Sequence, residues 1–184
     1  MKDEQLKWTM TDSRMLLHTP VFDVNEQHEL SPNGLEGDYI AMDAPDWVMV
    51  IAEYKGCFVT VRQWRHAAEA ISVEFPGGVA DAGEDPAQAA ARELYEETGF
   101  KANSLIHLGT VYPNPALFKN RYHVYLAEDL QPTGEQALDD DELLTYELKP
   151  VDEVIRSFGN AEYGHALMGT ALMFYLRHRS KGGV

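Results

Sequence analysis

GVADAGEDPAQAAARELYEETGF, residues 78–100, is the stretch on which the reading of this chain turns. Asp85-Pro86 marks a helix start, with Asp as the capping residue and Pro at the first helical position. Gly99 marks the stop, where a left-handed residue closes the last turn. Between them Ala87, Ala90, Ala91 and Leu94 are expected to pack inward. Residues three and four apart share a helix face, so Glu93 and Glu97 project together, Glu96 lies beside them, and Arg92 sits one turn from Glu96. The stretch carries six acidic residues and one base. Like charges at this spacing repel by about 0.2–0.5 kcal/mol per pair, and a divalent cation would relieve the strain. Oxygen-only ligands with no Cys or His select a hard ion, Mg²⁺ or Mn²⁺. Mg²⁺ characteristically takes a few carboxylates, several waters and substrate phosphates, which points to phosphoanhydride or phosphate-ester chemistry. The plainer alternative is a solvated acidic helix face.

The spacing argues against that alternative. Gly78, Glu84, Arg92, Glu93, Leu94, Glu96, Glu97, Gly99 and Phe100 satisfy the pattern G-x5-E-x7-R-E-U-x-E-E-x-G-U, with U a bulky apolar residue, at all nine fixed positions. By composition a chance match at a given start is below about 10⁻⁷. The chain thus resembles the Nudix hydrolases, which cleave nucleoside diphosphates linked to another moiety.

Outside the box, the 184 residues suit one large domain, or one domain with an N-terminal extension. A formal charge of −15 disfavours nucleic acid and anionic membranes as partners. Cys57 stands alone, so no intrachain disulfide can form, and it reads as a small core residue. The start MKDEQLKWTM lacks a signal-peptide core, and no apolar run approaches a membrane span. The expectation is a cytoplasmic protein.

Residues 1–45 are polar and turn-rich, with Leu16-Leu17, Val21-Phe22 and Tyr39–Met42 as short strand candidates that need another surface to bury them. Residues 46–184 form the main domain. Trp47–Tyr54 and Cys57–Trp64 read as a hairpin about Lys55-Gly56. Ile71–Phe75 is a short strand leading through Pro76-Gly77-Gly78 into the box, and the box helix covers about residues 86–98. Further strands are expected at 105–111, 121–127 and 143–148. An acidic, mobile loop is expected at 131–142, and helices at 151–158 and 161–179. In the last helix Ala166, Leu167, Thr170, Ala171, Phe174 and Tyr175 make an apolar stripe. This order fits an α/β/α sandwich with a mixed sheet, preceded by a small β-rich region, as the resemblance also implies.

By that resemblance, Glu93 and Glu97 are the main metal carboxylates and catalytic groups, Glu96 shares or supports, and the Gly77 carbonyl completes the set. Arg92 orients the neighbouring Glu side chains, and Glu84 is structural. The base of related sugar-nucleotide enzymes comes from a late acidic loop, here Glu142, then Asp141. The flanks resemble the ADP-ribose and nucleoside-diphosphate-sugar pyrophosphatase branch. Arg62-Gln63-Trp64-Arg65 matches its strand end, whose second Arg meets phosphate, so Arg65 takes that role. Glu74–Gly78 matches its approach to the box, and Pro115 its loop proline. That branch follows the proline with Gly and Ser/Thr-Glu, whereas this chain has Ala116–Asn120, which leaves ADP- or GDP-hexoses open beside ADP-ribose. Asn114 and Asn120 are sugar-binding candidates and equally turn candidates. Trp8, Tyr39 and Trp47 are aromatic candidates for a base platform, with core packing favoured for Trp47.

The branch is usually homodimeric through its N-terminal strands, and residues 1–45 suit such a dimerisation and substrate-capping part. The expected reaction is Mg²⁺-dependent hydrolysis of a nucleoside diphosphate sugar to a nucleoside monophosphate and a sugar phosphate. The rivals are a Nudix hydrolase of dinucleoside polyphosphates, NADH or capped RNA, and a non-catalytic nucleotide sensor.

Overall fold

The computed structural model describes residues 2–139 and 142–181, which form two compact units. The first holds the chain up to Pro45 together with Tyr112–Arg121. The second holds Asp46–Val111 and the chain from Tyr122 onward. A single cut after residue 45 therefore misses an excursion of the later chain into the first unit.

The first unit is a three-stranded antiparallel sheet of β1 (Thr9–His18), β2 (Asp23–Leu30) and β3 (Glu36–Asp43), in the order β1-β2-β3. Sequence periodicity located pieces of β1 and β3 but not the middle strand, because DVNEQHEL has almost no apolar residues to alternate. Val21-Phe22, expected as a strand, lies in the turn before β2. The 112–121 excursion is pinned by backbone. The Met42 N–H donates to the Leu117 carbonyl at 2.7 Å, and the Lys119 N–H to the Met42 carbonyl at 3.0 Å. The rings of Phe22 and Phe118 meet edge to face.

The second unit carries β4 (Trp47–Tyr54), β5 (Cys57–Arg65), β6 (Ala70–Glu74), β7 (Phe100–Val111), β8 (Tyr122–Pro132) and β9 (Leu144–Pro150), with helices α1 (Pro86–Thr98), α2 (Val151–Ser157) and α3 (Ala166–Lys181). The order β6-β5-β4-β8-β7, with β9 paired to β5, is mixed: β4 and β8 run parallel and the other pairs antiparallel. The β4–β5 hairpin turns at Lys55 and Gly56, both at positive φ (52° and 77°), which is the primed two-residue turn that strand twist favours.

Strand alternation builds the layers. Val48, Val50 and Ala52 of β4 face a cluster with Ala89, Ala90 and Leu94 of α1. Met49 and Ile51 face the opposite cluster with Val154 of α2 and Met168, Ala171, Leu172 and Tyr175 of α3. This is the expected α/β/α sandwich. Details shift within it. Ala91 of α1 is exposed and Ala89 buried. The last helix is broken at Gly164, after a short turn at Ala161–Tyr163. Its buried stripe is Met168, Ala171, Leu172 and Tyr175, rotated from the expected one. Cys57 is only half-buried.

One close approach fixes the path into α1. The segment Pro76–Gly78 lies against β4, with the Val50 N–H donating to the Pro76 carbonyl (2.8 Å) and the Val48 N–H to the Gly78 carbonyl (2.9 Å). A Cβ at Gly77 would sit 2.2 Å from the Val48 carbonyl oxygen and 2.8 Å from the Met49 Cα. A central strand cannot yield, so Gly77→Ala is expected to cost about 1–3 kcal/mol in denaturant unfolding. An unchanged midpoint would place this segment away from β4.

Candidate active site

Helix α1 sets the site. Asp85 caps it by accepting from the Ala87 N–H at 2.8 Å, and Gly99 closes it in the left-handed conformation. The face that buries Ala90 and Leu94 also buries Glu93 and Glu97, which are 7% and 2% exposed. Such carboxylates need partners. The Gly77 N–H donates to Glu97 Oε2 at 2.8 Å.

Arg92 ties the cluster's outer side. Its guanidinium donates to Glu84 (3.2 and 3.1 Å), Glu93 Oε1 (3.0 Å), Glu96 Oε2 (2.9 Å) and the Val79 carbonyl (3.0 Å). Glu84 also accepts from the Asp81 N–H at 2.9 Å. The Glu84 carboxylate foremost, then Glu96 and Glu93, hold Arg92 firmly protonated, and Arg92 in turn lowers the Glu84 pKa.

The acidic loop arrives over the end of α1. The Ala137 N–H donates to the Glu96 carbonyl (2.8 Å), the Thr133 N–H to the Gly99 carbonyl (2.8 Å), and the Gln136 side chain to the Glu97 carbonyl. Expected to be mobile, its described part is docked. It delivers Glu142, and carboxylate oxygens of Glu93, Glu97 and Glu142 all lie within 4.8 Å of one another. Asp141 lies outside the described residues. Glu96, expected to share or support the metal site, pairs with Arg92 and is not among these three.

Burial pushes the Glu97 pKa up to about 8, with the neighbouring carboxylates adding to it and the Gly77 N–H opposing. Burial likewise pushes Glu93 up to about 7, against the pull of Arg92. Three converging carboxylates with oxygen donors only, and too little positive charge to ionise comfortably, fit a hard divalent cation.

A cavity of about 350 Å³ opens on the cluster, lined by Gly77, Glu93, Glu97 and Glu142 together with Gln63 and Arg65. Arg65 is held bidentately by Glu74, at 2.7 and 2.6 Å. Glu74 is 1% exposed. Burial alone would raise its pKa, but Arg65 overrides that and the net shift is downward. Arg62 instead pairs with Glu162 at 2.6 Å. Gln63 was not picked out from sequence, although its place two residues before Arg65 on one strand face was a usable signal.

The loop candidates fall in the first unit, engaged there by backbone. Asn114 accepts from the Ala116 N–H at 3.3 Å, Pro115 lies in the same turn, and the buried Asn120 donates to the Pro45 carbonyl at 2.9 Å. Trp8 and Tyr39 pack edge to face in that unit, while Trp47 is half-buried in the second and lines a further cavity there.

The profile described as the NUDIX domain matches residues 42–168, well over half of the chain. This protein belongs to the Nudix family. It is 31% identical over 145 residues to the "ADP-ribose pyrophosphatase" of Bacillus subtilis (strain 168), covering 78% of each chain. It is 29% identical over 135 residues to "ADP compounds hydrolase NudE" of Escherichia coli (strain K12), covering 73% of this chain and 72% of that one. Among solved structures, a "Crystal structure of ADP compounds hydrolase" matches with a TM-score of 0.85 at 25% identity over 96% of both chains. This Nudix hydrolase therefore carries the expected fold, and its expected relationship to the ADP-ribose pyrophosphatase branch stands. Among the described residues no helix is long and apolar enough to cross a membrane.

The carboxylate shifts give a pH signature. A carboxyl whose folded pKa is raised holds its proton more tightly when folded. Its stability contribution is therefore full below the unfolded value near 4.5 and is lost as pH rises to the folded value. Metal-free protein is expected to lose Tm from about pH 5 to about pH 8 through Glu93 and Glu97. Added Mg²⁺ should restore it, with a larger gain at pH 8 than at pH 6, where protons compete for the same oxygens. A Mg²⁺-induced Tm gain independent of pH would contradict this assignment.

Proposed function

We propose that this Nudix hydrolase is a divalent-cation-dependent pyrophosphatase of ADP-linked compounds, yielding AMP and the phosphorylated partner, with ADP-sugars such as ADP-ribose as the substrate class. The observation that carries the reading is the convergence of Glu93, Glu97 and Glu142 in one cavity with Arg65. The printed activities of the Bacillus and Escherichia relatives support the ADP half.

In this reading Glu93, Glu97 and Glu142, with the Gly77 carbonyl, hold the cation. When bound, it supplies neutralisation of the diphosphate charge and a more acidic attacking water. Arg65, fixed by Glu74, positions a phosphate oxygen. Glu142, with Asp141 as its neighbour, accepts the proton of the attacking water. The water oxygen bonds to one phosphorus as the bridging P–O bond breaks, and the electron pair leaves with the other phosphate. Arg92 and Glu84 keep the α1 carboxylates in register. Glu96 acts through Arg92. A formal charge of −15 speaks against RNA as substrate.

The first unit is read as a dimerisation region. Strand β1 is exposed along its whole length, with Met10, Met15, Leu16 and Leu17 turned out, which is an edge proteins normally cover. Light scattering at micromolar concentration is expected to give twice the 20.7 kDa chain mass. A monomer would remove this part of the reading.

The activity test is a panel of ADP-ribose, ADP-glucose, GDP-mannose, NADH, diadenosine polyphosphates and capped RNA with Mg²⁺, read by product chromatography. AMP with a sugar phosphate should appear from the ADP-sugars, and Glu97→Gln should lower kcat/KM by about 10²–10³-fold. A sensor would show no turnover to lose, and preference for capped RNA would replace this reading.

A further inference from the structure

The loop between β8 and β9 brings Glu142 to the carboxylate cluster against two adverse charges. Glu93 and Glu97 already stand there. The C-terminal end of α1, on which the loop lies, is the negative end of the helix dipole. The chain has no Lys or Arg between Arg121 and Lys149, whereas Glu135, Asp139, Asp140, Asp141 and Glu142 fall within eight residues. The loop therefore brings no Lys or Arg of its own to offset this repulsion, and hydrogen-bond donors seat it.

A helix leaves its last four carbonyls open. In α1 the Gly99 N–H takes that of Tyr95 (2.7 Å), the Ala137 N–H that of Glu96 (2.8 Å), and the Gln136 side-chain amide that of Glu97. The Gly99 carbonyl accepts from both the N–H and the hydroxyl of Thr133, each at 2.8 Å. The approach is close: a Cβ at Gly99 would stand 2.5 Å from the Glu135 carbonyl oxygen. From here the contacts run on to the cluster. The Asp139 N–H donates to Glu142 Oε2 at 3.2 Å, and the Glu142 N–H to the Asp139 carbonyl at 3.0 Å. The backbone seated on the helix end thus orients the Glu142 carboxylate, as the Gly77 N–H orients that of Glu97.

These donors are not equivalent. Those of Ala137 and Asp139 are backbone and do not depend on the side chain. The Thr133 hydroxyl repeats what its own N–H does on one carbonyl. The Gln136 amide is a side-chain donor with a carbonyl to itself, and that carbonyl belongs to Glu97, whose carboxylate faces Glu142.

We propose that Gln136 is a positioning residue for Glu142: its amide, bonded to the Glu97 carbonyl, fixes the loop on the end of α1 so that the Glu142 carboxylate is held against those of Glu93 and Glu97. The inference rests on the reading of Glu142 as a group that holds the cation and accepts the proton of water. It adds a residue that governs both without touching either. Glu97 then places the site twice, its side chain facing the cavity and its carbonyl anchoring the loop.

Three substitutions test the donor. Gln136→Met keeps the length and loses it, Gln136→Glu sets an acceptor against the carbonyl, and Gln136→Lys keeps a donor that suits a helix C-terminus. With ADP-ribose, Gln136→Met should lower kcat and raise the Mg²⁺ concentration for half-activity, each about three- to tenfold, the effect of one lost hydrogen bond. At saturating Mg²⁺ its KM should move less than twofold. Gln136→Glu should lose more, and Gln136→Lys should recover most of the loss. In a Glu142→Gln background, Gln136→Met should cost less than twofold further, because the group it positions is gone. Fully additive losses, or a Lys variant as poor as the Met variant, overturn the proposal. Mg²⁺ calorimetry and amide exchange at Ala137 ask the question without turnover: Gln136→Met should weaken cation binding about three- to tenfold and speed that exchange. If no ADP compound is cleaved but both shifts appear, the pyrophosphatase reading falls and the positioning role stands. If turnover is present and Gln136→Met matches wild type in kcat and cation binding, the positioning role falls alone. If Glu142→Gln keeps wild-type turnover and cation binding, the role of Glu142 and this proposal fall together.

Discussion

Two carboxylates of one helix, Glu93 and Glu97, are buried without enough positive charge to ionise them, and the rest of the second unit is arranged around that cost. Desolvation dominates both shifts, the condition under which a carboxylate either holds its proton or gains from a cation brought to it. The local compensation is partial and directional. Gly77 gives one N–H to Glu97. Arg92 gives its donors to Glu84, Glu93 and Glu96 from the outer side, leaving the inner oxygens of the cluster turned to the cavity.

Holding this arrangement explains structure that packing alone does not. Helix α1 must be fixed both in rotation and along its axis. Ala89, Ala90 and Leu94 set the rotation by filling the face of β4 that presents Val48, Val50 and Ala52. The pairing of Pro76–Gly78 with Val48 and Val50 sets the axial position, because the same segment that lies on the sheet bonds the Glu97 carboxylate. The Arg65–Glu74 pair stands next to this segment in sequence and works by the same principle, with a buried carboxylate holding an exposed cation in one orientation. Phosphate chemistry gains from such preorganisation because little of it is covalent work by the protein.

The legible parts of the chain were those with local signals. The β4–β5 hairpin showed in its alternation and its Lys55-Gly56 turn, and α1 showed in its cap, its proline and its terminal glycine. These features act over a few residues, and nothing distant competes with them. Strand β2 was invisible because a strand whose faces are both largely polar carries no alternation. The last helix was read through Gly164 because one glycine is a weak break signal against a long apolar period. Its stripe was then placed out of phase: which apolar residues face the sheet was decided by Met168, Ala171, Leu172 and Tyr175 fitting Phe58 and Phe75.

From sequence alone came the expectation of divalent-cation chemistry. The spacing Arg92-Glu93-Leu94-Tyr95-Glu96-Glu97 puts like charges on one turn of helix, and its place in the Nudix box is what pointed to a cation. Tertiary structure decided which carboxylates converge: Glu142 crosses from a loop some forty-five residues downstream of Glu97 to join the cluster, while Glu96, one residue away, turns to Arg92. It also decided that the Gln136 side chain reaches back to the Glu97 carbonyl. Helical periodicity constrains neighbours on one element, but the meeting of separate elements is fixed by sheet order and core packing.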